Sequence, residues 1–234
     1  MTWRTKWCVA GVTALNVMAA ACAEKTSPLQ SQVCFDADAQ LARLTTPLES
    51  LRASGCTADD ACGRLEREMA RQALVCPAHA PTLVANASLA YEGRRLAVAQ
   101  QYLDQALALP RPMPEAAALR ARIALEEGNV PFARRLLERQ LALTPGEATL
   151  HEAYAAVFYL SGQAALARRE LDAATALGSP RWRIAYNLGL IEEGAGHVEE
   201  ARRLYAEALQ ARPEWAPAAS RLRGLRTQPP DGRR

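Results

Sequence analysis

Four cysteines could do chemistry together. Cys34, Cys56, Cys62 and Cys76 fall within one 43-residue segment, with 21, 5 and 13 residues between successive members. Four thiolates suffice for tetrahedral zinc, but structural zinc sites use paired C-x2-C knuckles, and none occurs here. In an exported chain an even number of cysteines points instead to two disulfides, for which three connectivities exist. The pairing Cys56–Cys62 with Cys34–Cys76 suits a helical hairpin. Thr57, with Asp60 three residues on, starts a helix running to about Val75, so Cys56 falls near Cys62 and Cys76 lies at the far end for Cys34 to meet. Catalysis finds little support. His151-Glu152 opens like H-E-x-x-H, but Ala155 replaces the second histidine, and no G-x-S-x-G, phosphate-binding glycine loop or dinucleotide fingerprint occurs. His79 and His197 stand alone near turns and read as solvated. The expectation is a protein that is no enzyme and holds neither metal nor cofactor.

The export premise rests on Met1–Ala23. Arg4 and Lys6 give a short basic start, Cys8–Ala21 a modest apolar run, and small residues follow, as in a signal peptide. The run is too short to span a bilayer. Two processing routes fit. Ala19-Ala20-Ala21-Cys22 resembles a bacterial lipobox, which would make Cys22 the lipidated first residue, whereas an A-x-A cut would release a soluble chain. The expected location is the cell envelope, either the periplasm or the outer membrane as a lipoprotein, with the membrane reached only through the lipid anchor. Removing Arg4 and Lys6 from 28 basic residues leaves 26 against 25 acidic ones. Near-neutrality argues against nucleic acid as a partner.

The elements that position these residues are repeats. A 34-residue period runs without insertion through 80–113, 114–147, 148–181 and 182–215, each copy reading as two amphipathic helices and a turn. Small residues hold the eighth place (Ala87, Ala121, Ala155, Gly189) and alanine the twentieth (Ala99, Ala133, Ala167, Ala201). A large residue holds the twenty-fourth (Leu103, Leu137, Leu171, Tyr205), and Gly128, Gly162 and Gly196 hold the fifteenth. Short side chains belong where the two helices cross, and the large one fills the space beside them. Such a unit cannot bury its apolar face alone, so copies must stack.

This pattern resembles the tetratricopeptide (TPR) family over Ala80–Trp215. The resemblance implies an all-α fold, a right-handed α-solenoid of helix-turn-helix repeats. The seventh place departs from it, holding Asn86, Arg120 and Tyr154 where leucine is usual and Leu188 stands. Residues 24–79 then form a Cys-containing helical hairpin in the same register, a degenerate copy capping the stack. Its first arm should break at Thr45-Thr46-Pro47 into Phe35–Leu44 and Leu48–Ala53. Residues 216–226 read as a C-terminal capping helix, and 227–234 as a disordered tail.

In the resembled family the first helices line the concave side and hold a segment of a partner protein. Carried over place by place, the binding face here includes Tyr91, Arg122, Glu126 and Glu152, then Tyr159, Arg183, Tyr186 and Leu190. Tyrosine and arginine are the types that dominate binding hot spots. The alternative use of these tyrosines is packing between repeats. On the second helices Arg134-Arg135, Arg168-Arg169 and Arg202-Arg203 form a ladder, with Glu138, Asp172 and Glu207 three or four residues on, expected to pair within each helix. The resemblance implies a non-catalytic envelope scaffold or adaptor, of the sort that assists pilus or secretion-machinery assembly. The alternative is a soluble periplasmic module that regulates an enzyme or binds a cell-wall component.

Overall fold

A computed structural model describes residues 34, 36–53 and 61–227. The expected signal segment with Cys22, residues 24–33, Cys56 and 228–234 lie outside them. The described residues form eleven helices and no strand. They are α1 (Ala37–Ala53), α2 (Ala61–Val75), α3 (Ala80–Glu92), α4 (Leu96–Leu107), α5 (Pro114–Glu126), α6 (Val130–Leu143), α7 (Ala148–Leu160), α8 (Ala164–Ala176), α9 (Arg181–Gly194), α10 (Val198–Ala211) and α11 (Ala216–Thr227). The pairs α3–α4 through α9–α10 recur at the sequence period, and the stack is an α-solenoid.

Its core is a column of side chains one period apart. Met69, Leu103, Leu137, Leu171 and Tyr205 are each at most 1% exposed, so the column begins in α2, one period before the first full repeat. Facing it, Ala87, Ala121 and Ala155 are buried, as are all four alanines at the twentieth place. At the crossing of α9 and α10 the sizes are exchanged. A Cβ on Gly189 would lie 2.6 Å from Tyr205 Cε1, so the larger ring requires the smaller partner. Three turns within repeats use glycine in the left-handed region, at Gly128 (φ 75°), Gly162 (φ 72°) and Gly196 (φ 79°). The first repeat places Arg94 there, at φ 57°. Pro81, Pro114 and Pro131 fall in first turns, where no hydrogen bond is forfeited.

At the N-terminal end, Cys34 and Cys76 form a disulfide that ties the chain ahead of α1 to the turn before α3. Cys62 is disulfide-bonded as well, and its partner lies outside the described residues. Gln72 Nε2 donates to the Ala37 carbonyl at 2.8 Å, and Asn86 Nδ2 donates to the Met69 carbonyl at 3.0 Å. The first bond closes the hairpin and the second seats it on α3.

Two sequence expectations are corrected here. α1 does not break at Thr45-Thr46-Pro47 but runs through Pro47. An interior proline costs about 3 kcal/mol. Leu48 beside it is 2% exposed against Met69 and Leu89, and burying a leucine returns about 2 kcal/mol. Nor is His79 solvated. Its Nδ1 lies 2.7 Å from Thr82 Oγ1 and its Nε2 3.1 Å from Asp38, linking α1 to the first turn of α3.

Candidate protein-binding face

Successive first helices touch each other (α3 with α5, α5 with α7, α7 with α9), and each second helix packs against the first helix of the next repeat. The first helices therefore form one continuous inner row, and the second helices stand outside it.

The predicted face residues fall into three groups along this row. Where α3 meets α5, the Tyr91 hydroxyl donates to Glu126, and Arg94 pairs with the other oxygen of that carboxylate at 3.0 Å. Burial, with the Glu126 bond behind it, raises the Tyr91 hydroxyl above its ordinary pKa. The Arg122 guanidinium lies over the Tyr91 ring, 4.3 Å from its centroid, and is exposed. Where α7 meets α9, Arg183 pairs with Glu152 at 2.6 Å, and Ser179 donates to the other oxygen at 2.5 Å. That carboxylate's side chain is only 7% exposed. Tyr159 leans on Gly194, where a Cβ would lie 2.9 Å from its hydroxyl. Tyr159 and Leu190 also line a small cavity of about 30 Å³ with Ala155, Ala156 and Asn187.

The third group belongs to the C-terminal cap. Tyr186 packs 5.7 Å from Tyr205 and edge-on to Trp215 at 6.1 Å. Leu190 also packs against Tyr205 and Leu225. Glu193 accepts from Tyr205 at 2.5 Å and from Arg221 at 3.2 Å.

A larger cavity, about 540 Å³, opens where α3 and the start of α5 flank the loop between repeats. Its walls are Pro81, Val84, Pro112 and Met113, with Arg111 and Glu115 among the lining residues. Sequence reasoning did not single out Arg111, Asn187 or Arg94. For Arg94 a signal existed: it interrupts the glycine series at the fifteenth place.

The outer seams hold what the seventh-place departures concealed. Arg120 pairs with Asp104 at 2.9 Å, and Tyr154 donates to Glu138 at 2.7 Å, each reaching the same place of the preceding repeat. Burial and this bond push the Tyr154 hydroxyl up to about 12. The arginine ladder also differs from expectation. Arg203 does meet Glu207 within its helix, at 3.5 Å. Arg134 and Arg168 instead cross to the next repeat, Arg134 over the Phe158 ring at 5.1 Å and Arg168 onto Glu192 at 2.5 Å. At the same place of the fourth repeat, Arg202 stays within its own helix and pairs with Glu199 at 3.0 Å. Arg168 first, then His197 at 2.8 Å, hold the Glu192 carboxyl below its ordinary value. Among the described residues no cluster of three or more His, Cys, Asp or Glu is arranged to hold a metal ion, and no helix is long and apolar enough to cross a membrane.

No protein-family profile matches the chain, and no curated protein matches it in sequence. Solved structures do. A thermophilic TPR protein of Thermus thermophilus aligns over 80% of this chain and 99% of its own, with a TM-score of 0.65 and 18% identity. A chain of the APC/C hetero-tetramer Cut9–Hcn1 aligns over 84% of this chain and 39% of its own, with a TM-score of 0.64 and 13% identity. The likeness is one of fold.

Proposed function

We propose, with a TPR-like solenoid as the premise, that this protein is a non-catalytic scaffold that holds an extended segment of a partner protein along its inner row of first helices. The observation carrying this reading is that row itself. Its helices are pinned to one another by the Tyr91–Glu126–Arg94 and Glu152–Arg183 clasps, so the surface is formed before any partner arrives. A preformed surface binds without the ordering cost that a flexible one incurs. Between the clasps, Arg122, Glu115, Ala156 and Leu160 remain available, with Leu160 53% exposed.

The N-terminal sequence supports an envelope setting, with Cys22 lipidated and the scaffold tethered to the outer membrane. In that setting the partner belongs to an assembly machine such as a pilus or secretion apparatus. Intact mass and membrane partition of the expressed chain beside Cys22→Ala test the tether; a diacyl or triacyl addition should vanish in the variant, and a clean cut without lipid would move the protein to the soluble periplasm.

The row is tested separately with a photo-crosslinking amino acid at Leu160 on the inner side and at Arg169 on the outer. Protein adducts should form from position 160 and not from 169. Equal labelling at both positions would reject the inner row as the binding face.

A further inference from the structure

Among the described residues, Arg122 is an exposed cation without an anion. Glu126, four residues on and within reach of an ordinary helix pair, is held by Tyr91 and Arg94 instead. No carboxylate among the described residues stands within ion-pair distance of Arg122. Stacking on Tyr91 occupies one face of its guanidinium and leaves the N–H edge free. A planar fork fixed on a ring has already lost much of its rotamer freedom, which suits it to take a carboxylate in two parallel hydrogen bonds.

Two turns back on the same stripe of α5 stands Glu115, at the edge of the 540 Å³ cavity walled by Pro81, Val84, Pro112 and Met113. Seven helical residues rise about 10.5 Å. Three residues of an extended chain span about 10 Å. Ala118, midway along the stripe, is small enough to let a backbone pass.

Resting on the scaffold reading above, we propose that the N-terminal half of the inner row selects its partner segment by chemistry: an acidic side chain received by Arg122, and a large apolar side chain three residues away seated in the Val84 cavity. The acid is an internal side chain, because the row continues past Arg122 in both directions and a bound segment runs on either side of it.

The test is a selection of random displayed peptides on the full chain, followed by binding of fluorescently labelled winners. Winners should carry Asp or Glu with Leu, Ile, Phe or Met three residues away. Arg122→Ala should weaken a winning peptide at least about tenfold, the worth of one charge-assisted bond. Arg122→Lys, which keeps the charge but not the flat stack, should fall between. Arg122→Glu should turn the selection toward Lys or Arg, and Val84→Glu should abolish the apolar preference while the acidic one persists. Circular dichroism checks the folding of each variant, since Arg122 is exposed but Val84 is half-buried against the first repeat's core. Winners with no acidic preference, unchanged by Arg122→Glu, would overturn this inference and leave the scaffold reading standing. A fully folded chain that enriches no peptide would remove the scaffold reading together with it.

Discussion

The two halves of the inner row use their charges differently. In the C-terminal half Glu152 is taken by Arg183, and Glu193 by Tyr205 and Arg221. In the N-terminal half one clasp, Tyr91–Glu126–Arg94, leaves Arg122 and Glu115 facing outward beside a cavity. Buried ion pairs hold geometry, and breaking one strands a charge, so the C-terminal half reads as framework. Open charges next to apolar walls read as recognition. The same contrast recurs in the backbone: the fourth repeat turns on a glycine and fits a tyrosine against another, while the first carries an arginine in a conformation that costs it energy.

The contrast can be broken at several points. The largest effect should come from Cys34→Ser with Cys76→Ser, since releasing a loop of about 42 residues costs about 3–4 kcal/mol. Urea unfolding of the double variant, with and without reductant, measures it; no change would mean that the hairpin is not held by this bond. Next is Gly189→Ala. In an open helix this change stabilises by about 1 kcal/mol, yet here it should destabilise by about 2–3 kcal/mol because Tyr205 occupies the space. Adding Tyr205→Leu restores the alanine-with-leucine pairing of the other three repeats and should recover most of the loss. A double variant no better than the single would show that the size exchange is not what couples these positions.

Glu192→Gln sharpens the framework side. The folded pKa of Glu192 lies below its ordinary 4.5, so its stabilisation is present above that value and is lost as pH falls through the folded one. At pH 7 the variant should be about 1–2 kcal/mol less stable than the native chain. The gap should close as the pH is lowered from 4.5 into the acid range, and a constant gap down to about pH 2 would refute the linkage. The smallest effects concern the turns. Arg94→Gly relieves a left-handed backbone while giving up an exposed ion pair, for a net gain of about 0.5–1 kcal/mol. Gly128→Ala at the equivalent place meets nothing within 4 Å and should lose about 1 kcal/mol for the backbone alone. Opposite signs at one structural place would establish that the first repeat carries strain its neighbours avoid.

The core was legible because it depends on period: a residue buried once per 34 positions announces its copies, and Leu103, Leu137, Leu171 and Tyr205 did so. Gly189 opposite Tyr205 was visible as two deviations in one copy. Contacts between copies were harder to read. Arg168 has an acid four residues on in its own helix, and only the angle between repeats decides that Glu192 is nearer. Arg120 and Tyr154 looked like defects in a leucine series because their partners, Asp104 and Glu138, sit sixteen residues back across a turn. Pro47 was misread because local propensity argues for a break, while the burial of Leu48 depends on α2 and α3. Tyr186 lies on the expected helix, but its neighbours come from two later elements, Tyr205 from α10 and Trp215 from the turn before α11.

The contact of each first helix with the next has a mechanical consequence. First helices meet their successors directly, whereas second helices reach the next repeat only through its first helix, so flexing the stack changes the spacing of the outer helices more than that of the inner ones. Thermal bending is then felt least where a ligand would lie. A segment resting there meets a rail of fixed gauge on a body that can still sway, and its binding should be largely insensitive to forces that bend the rod as a whole.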